Sequence, residues 1–348
     1  MTGDFGMVDA PRRGRTENGL VVTQTPLRVS FAGGGTDLPA YYESDGGAVF
    51  STTIDKYVYV TVKRHGLVFD EQVRLNYSVS ESVHSIDAIR NDIARECLKL
   101  LEIEPPIYIS VVSDLPDSSG LGGSSAFAVG LLNALHTFRG ERVTAGHLAD
   151  EASRVEIEVL GQPIGKQDQY AAAFGGLNLF SFRAAGDVAV EPQIASNGAV
   201  AQLFDRLLML WTGHQRKSSS VLFEQRSRTP DHHAELTRMR DQAYELQSLM
   251  RQPEPDFDRF GHTLDVGWAM KRGLASTVSN PMIDAWYRSG REGGASGGKL
   301  CGAGGGGFLL FVAEPGYHPA ILAALSGLTA VPIRYEAHGS RVLLAQLD

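Results

Sequence analysis

Pro116–Ala126 reads PDSSGLGGSSA. It follows a β-branched run, Ile107–Val112, and opens a segment, Ser124–Phe138, that is apolar nearly all round a helical wheel. A buried helix entered through a glycine-rich turn aims its first backbone N–H groups and the positive end of its dipole at one spot. That geometry suits a phosphate. Ser124 and Ser125 add hydroxyls for phosphate or for Mg2+. The stretch is not a P-loop, because GxxxxGK followed by Ser or Thr is absent. An ordinary serine-capped turn needs one or two glycines, and this one has three, at Gly120, Gly122 and Gly123.

Outward from this point the chain mixes strands and helices without strict alternation. Strands are predicted within Leu20–Phe31 and at Val58–Lys63, Gln72–Tyr77 and Ile107–Val112, with a hairpin at Leu177–Phe182 and Val188–Pro192. Later strands are predicted at Leu207–Trp211, Gly307–Val312, Val331–Tyr335 and Val342–Leu347. Helical spacing marks Ile86–Leu101, Thr144–Leu160 (capped by Thr144), Ala234–Arg251, Phe257–Ala275, Met282–Arg291 and a short one near Ala320–Leu325. The expectation is an α+β chain in two domains, 21–198 and 199–348. Residues 1–20 are polar and aperiodic; Arg12-Arg13 is followed by no apolar signal region, so a disordered leader and a cytoplasmic protein are expected.

Composition narrows the function. The 348 residues are 43% apolar, too much for global disorder. Lys and Arg total 32 against 40 Asp and Glu, a net charge of −8 with no basic stripe, which argues against nucleic acid. No apolar run approaches the ~18–20 residues of a membrane span. Cys97 and Cys301 alone make neither a disulfide scaffold nor a cysteine zinc site. Glycine supplies 39 residues, well above the usual ~7%. It clusters at Gly33–Gly35, Gly120–Gly123 and between Gly290 and Gly307, as expected where backbone must approach a ligand.

Three glycine-bearing segments carry a family resemblance: TPLRVSFAGGGTDLP at Thr25–Pro39, PDSSGLGGSSA, and KLCGAGGGGF at Lys299–Phe308. In this order they resemble the three motifs of the GHMP kinase superfamily, over most of the chain. Within it, the first and third look most like the bacterial D-glycero-D-manno-heptose 7-phosphate kinases. The resemblance implies an N-terminal ATP-binding domain with a left-handed βαβ unit, a ferredoxin-like C-terminal domain, and a cleft between them for ATP and sugar.

It also implies roles. The second motif, from Pro116 through Ser118, Ser119, Gly120, Leu121, Gly122, Gly123, Ser124 and Ser125, would wrap the ATP phosphates. Asp168, in GKQDQY, matches the family's catalytic aspartate, and phosphoryl transfer needs a group that positions the hydroxyl and takes its proton. Arg28 matches the arginine paired with it; Lys166 would add charge nearby, or is simply solvated. Mg2+ prefers few protein oxygens; Glu156 matches the family glutamate, with Glu158 a competitor. The motif departs from the commoner GLGSSAA by one glycine, so either Ser124 or Ser125 is the metal serine. Sugar contacts would come from Gly34, Gly35, Thr36 and Asp37, with Asp55 or Lys56 of STTIDKY facing the cleft. Gly304, Gly305 and Gly306 would bring backbone close to substrate. Thr212–Ser219, TGHQRKSS, holds His214, Arg216 and Lys217; an Arg fork suits phosphate oxygens, making Arg216 the candidate for the substrate's own phosphate, with a solvated turn as the alternative.

The implied activity is ATP- and Mg2+-dependent phosphorylation of the anomeric hydroxyl of heptose 7-phosphate to the 1,7-bisphosphate. An anomeric kinase of another sugar such as fucose, and a non-catalytic homologue that binds sugar and ATP, stay open beside it. The partners expected are small molecules, a sugar phosphate and ATP, with a homo-oligomer open beside a monomer.

Overall fold

The computed structural model describes residues 19–66, 68–193, 198–215, 223–224 and 229–347. Seven strands of the first sheet come from the N-terminal half: β1 (Leu20–Ala32), β2 (Gly47–Arg64), β3 (Val73–Asn76), β4 (Ser80–Val83), β5 (Ile107–Ser113), β6 (Leu177–Phe182) and β7 (Val188–Pro192). β2 is long enough to serve two neighbours on one edge. Val58–Arg64 pairs with β5 and Gly47–Thr52 pairs with β6. β1 lies along its other edge, antiparallel.

The helices of this half are α1 (Pro39–Asp45), α2 (Asp92–Leu100), α3 (Gly123–Phe138), α4 (Ala145–Ser153) and α5 (Gln167–Phe174). α3 packs on β1 and β2 and is buried on almost every side. Its Gly130 allows that approach, since a Cβ there would sit 2.6 Å from Thr25 Oγ1.

The second sheet contains β8 (Leu207–Trp211), β9 (Gly297–Leu300), β10 (Phe308–Val312) and β11 (Thr329–Ala330), in the order β11-β8-β10-β9, all antiparallel. Helices separate β8 from β9, a turn joins β9 to β10, and helix His318–Ala324 precedes β11. That is the βαββαβ succession of a ferredoxin-like layer. Helix Phe257–Leu274 packs on β9 and β10. The second half does not stay apart from the first. Helix His233–Met250 packs on β1 and β2, and the last strand, β12 (Arg341–Gln346), pairs with β1 in the first sheet.

Several elements differ from their sequence patterns. Ile86–Leu101 is not one helix. Glu81 accepts the N–H groups of Arg90 (2.6 Å) and Asn91 (3.1 Å), and Asn91 Oδ1 caps α2 at Ala94 N, 2.9 Å away. Thr144 does cap its helix through His147 N, at 3.2 Å, but beyond Ser153 the helix widens into a π turn, Arg154–Val159. The strand expected at Val331–Tyr335 shrinks to Thr329–Ala330 plus an isolated bridge from Tyr335 to Ile54. Pro332 follows closely and cannot donate to a ladder. β9 went unrecognised because half of it is glycine; at Gly297 a Cβ would lie 1.7 Å from Gly261 O. Among the described residues no helix is long and apolar enough to cross a membrane.

Candidate active site

The end of β1, the entry to α3, the start of α5 and the β9–β10 turn meet around a cleft of about 330 Å³. Arg28, on β1, holds Asp168, on α5, with two parallel bonds: Nε to Oδ1 at 2.8 Å and Nη2 to Oδ2 at 2.7 Å. Its Nη1 donates to Gly120 O at 2.7 Å, and its backbone N–H to Leu121 O at 3.0 Å. One buried arginine therefore fixes the carboxylate and the glycine-rich loop together. Gly122, with φ of +76°, sits against the pair; a Cβ there would be 3.2 Å from Arg28 Cγ and 3.4 Å from Asp168 Oδ2.

α3 begins at Gly123 with no side chain capping it. Its first N–H groups and its dipole thus face the cleft beside Ser119, Gly120 and Ser124. The β9–β10 turn closes over this loop backbone to backbone. A Cβ on Gly302 would lie 2.3 Å from Gly120 Cα.

Glu156 is fully buried by the π turn, whereas Glu158 is exposed. Gln169 Nε2 donates to Glu156 Oε2 at 2.6 Å, while Glu156 Oε1 and the buried Ser125 Oγ have no hydrogen-bond partner. Burial raises the Glu156 carboxyl to about 7; the Ser125, Gln169 and Ser124 groups counter part of that without satisfying Oε1. Orphaned hard oxygens on a carboxylate and a hydroxyl are the donor set a Mg2+ ion takes, so these residues fit that ion.

The remaining expected residues divide. Asp37 lines the cleft, its Oδ1 accepting Gly35 N at 2.9 Å and its Oδ2 accepting Gln167 N at 3.3 Å. Burial, and next the charge of Asp168, raises its carboxyl above the usual range. Gly34, Gly35, Gly304 and Gly306 also line the cleft, and Ser118 and Gly123 join them. Other expected contacts do not reach it. Thr36 is buried, bonding Gly33 O and Ala48 O. Asp55 Oδ1 accepts Arg334 N at 2.8 Å, which docks the segment before β12 onto β2, and Lys56 bonds Asp55. Lys166 turns to Gly186 O at 2.7 Å. Gly305, Leu121 and Pro116 are not among the lining residues; Gly305 N bonds Val278 O at 2.9 Å. His214 is exposed, and its carbonyl accepts Gly307 N at 2.9 Å. Arg216, Lys217, Ser218 and Ser219 lie outside the described residues.

Two cleft lysines escaped the sequence reading. Lys299 stands inside the third motif, where the glycines drew attention. Lys271 lies in a helix's last turn, where a cation is ordinary. Both are buried. Lys299 Nζ donates to Ser30 O at 2.7 Å and Phe31 O at 3.1 Å, and Lys271 Nζ to Gly302 O. Burial, and then the charge of Lys271, pulls the Lys299 ammonium down to about 7; burial pulls Lys271 down to about 8. Ser30 Oγ and Gln167 Oε1, also on the cleft, are buried without hydrogen-bond partners. The cleft therefore offers an uncapped helix end and three cations for anions, a held carboxylate for a hydroxyl, and free polar atoms for a polyol.

Comparison with known proteins agrees with this chemistry. Residues 87–176 match the model of the GHMP kinases N terminal domain, and 227–327 that of the GHMP kinases C terminal domain. The chain is 30% identical over 309 residues to D-glycero-alpha-D-manno-heptose 7-phosphate kinase of Campylobacter jejuni, covering 84% of this chain and 89% of that protein. A crystal structure of a D-glycero-D-manno-heptose 1-phosphate kinase from Bacteroides thetaiotaomicron superposes with a TM-score of 0.76 at 24% identity, over 93% of this chain and 99% of that one. A putative sugar kinase from Campylobacter jejuni superposes with a TM-score of 0.72 at 26% identity, over 94% and 99%.

Proposed function

The chain belongs to the GHMP kinase family, and from that premise we propose that it transfers the γ-phosphoryl group of ATP to the anomeric hydroxyl of D-glycero-D-manno-heptose 7-phosphate. The product is then the 1,7-bisphosphate. The observation that carries a working kinase is the Arg28–Asp168 fork beside the uncapped start of α3. The heptose phosphate as substrate is supported by the 30% identical relative, and by the cations Lys271 and Lys299 in the same cleft.

In this reading the N–H groups at Gly122–Ser125 and the hydroxyls of Ser118, Ser119 and Ser124 hold the ATP phosphates. Glu156 with Ser124 or Ser125 would hold Mg2+, which when bound neutralises charge on the phosphate oxygens. Asp37, Ser30 and Gln167 take sugar hydroxyls. Asp168 orients the anomeric hydroxyl and accepts its proton as the new O–P bond forms, while Arg28 prevents the carboxylate from turning away. Lys271 and Lys299, with Arg216 as the further cation nominated by the sequence, supply charge for the sugar's phosphate.

The test is a panel of heptoses and hexoses, each with and without a terminal phosphate, assayed for ADP release with product position read by 31P NMR. Heptose 7-phosphate should give the highest kcat/KM and an anomeric phosphate. A free sugar such as fucose turning over faster would overturn the substrate. ATP binding with no ADP released on any sugar would overturn the kinase.

A further inference from the structure

Away from the cleft, the far end of α3 meets α4. His136 lies in the last full turn of α3, about 20 Å along the helix from Gly123. His147 and Glu151 lie one turn apart on α4. The His136 ring is buried and the His147 ring half-exposed, with Glu151 between them. His136 Nε2 stands 2.7 Å from Glu151 Oε2, and His147 Nε2 stands 3.0 Å from Glu151 Oε1. One ligand atom from each of the three residues falls within 4.8 Å of the other two.

The two histidine–glutamate separations are close to what one small cation requires. Zn2+ bonds of ~2.0–2.1 Å in a tetrahedron place neighbouring ligand atoms roughly 3.3 Å apart. The two histidine–glutamate contacts, made to different oxygens of Glu151, are within about 0.6 Å of that spacing. The widest separation, within 4.8 Å, closes by up to about 1.5 Å as the half-exposed His147 ring swings inward. The residue behind the buried histidine is also of the right kind. His136 Nδ1 meets Glu141 Oε2 at 2.8 Å, and the other oxygen of Glu141 pairs with Arg139 Nη2 at 3.0 Å. A metal-bound imidazole characteristically gives its second ring N–H to a carboxylate, which fixes the tautomer and the ring's orientation. Two imidazoles and one carboxylate suit zinc-class ions and not Mg2+, which prefers oxygen alone.

We propose that His136, His147 and Glu151 bind one zinc-class divalent cation, with Glu141 orienting His136 and a fourth position open to water. The ion would clip α3 to α4. α3 starts at the glycine-rich loop and α4 runs into the π turn carrying Glu156, so the clip joins the two elements that carry the candidate nucleotide and Mg2+ residues. This site is separate from the cleft and does not depend on the sugar chosen there.

The full-length protein, stripped with chelator, is titrated with Zn2+ by calorimetry in excess Mg2+, so that hard-oxygen sites are already filled. One saturable equivalent is expected, with a higher melting temperature when Zn2+ is present. His147→Ala alters an exposed side chain and should leave circular dichroism and Zn2+-free turnover unchanged. It should weaken Zn2+ by at least about thirtyfold and abolish the thermal shift. Glu141→Gln, acting only through His136, should weaken it by about 10–100-fold. No saturable uptake would mean the cluster is only a hydrogen-bonded histidine–glutamate network. Equal uptake by wild type and His147→Ala would place the ion elsewhere. Either result overturns the proposal.

Discussion

Arg28 meets both oxygens of Asp168, at 2.8 and 2.7 Å, and gives its remaining nitrogen to Gly120 O at 2.7 Å. A single side chain thereby ties the carboxylate to the loop, so loop and carboxylate move as one body. Asp168→Asn should cut kcat by roughly 100-fold or more while ATP affinity stays within a few-fold. The amide keeps one oxygen for Arg28, gives up the second bond of the fork, and cannot take the proton. Near wild-type turnover would remove Asp168 from the chemistry.

Arg28→Lys keeps the charge and loses the fork, since an ammonium cannot make two parallel bonds in one plane. Turnover should fall in this variant, and the Asp168→Asn/Arg28→Lys double variant should be little worse than Asp168→Asn alone. Losses that simply multiply would show that the two residues act independently.

The metal assignment separates two nearby glutamates. Glu156→Gln should raise the Mg2+ concentration for half-maximal turnover roughly tenfold, about 1.4 kcal/mol. Glu158→Gln, on the exposed side of the same turn, should not change it. A Mg2+ titration of both variants at saturating ATP measures the difference, and the reverse pattern would exchange their roles.

With Lys299 on the sugar's phosphate, as proposed, recognition should depend on pH. Its ammonium is lowered from 10.5 to about 7, so raising the pH from 7 to 9 removes the charge a dianion needs. Lys271, at about 8, loses its proton over the same window. For wild type, kcat/KM for the phosphorylated sugar should therefore fall as pH rises. In Lys299→Met it should be lower by about 10–100-fold at pH 7 and less steep above it. KM for ATP should stay within a few-fold. Equal loss on phosphorylated and free sugars would assign Lys299 to packing.

Gly302 tests the contact between the two glycine loops. Its φ of +72° disfavours a side chain, and an added Cβ would meet Gly120 Cα at 2.3 Å. Gly302→Ala should lower both the melting temperature and kcat, because the β9–β10 turn must lift off the α3 entry. Unchanged turnover with lowered stability would limit the contact to the fold.

The parts of the fold visible in the sequence are those where local pattern and tertiary role agree. The uniform apolarity of Ser124–Phe138 announces a buried helix, and the three glycine segments announce close backbone approaches. What stayed hidden depends on partners beyond the reach of a local pattern. Glu81 breaks the apparent helix at Ile86–Leu101 by taking the N–H groups of Arg90 and Asn91. Asp55 and Lys166 carry the residue types a site needs, yet Arg334 and Gly186 claim them. Lys271 has no local mark at all, and Lys299 only its place at the head of a glycine motif, because a lysine becomes a cleft residue only through the burial of its surroundings.

The pairing of β12 with β1 bears on how the protein is made. Gln24 and Arg341 bond across that ladder although 317 residues separate them along the chain. At ~5–20 residues per second, β1 leaves the ribosome roughly a quarter of a minute to a minute before its outer neighbour exists. Throughout that interval the Leu20–Gln24 end of β1 has one edge of unpaired backbone, able to accept a strand from another nascent chain. Newly made protein should thus be most prone to misassembly late in translation, and slow codons upstream of β12 would lengthen the exposure.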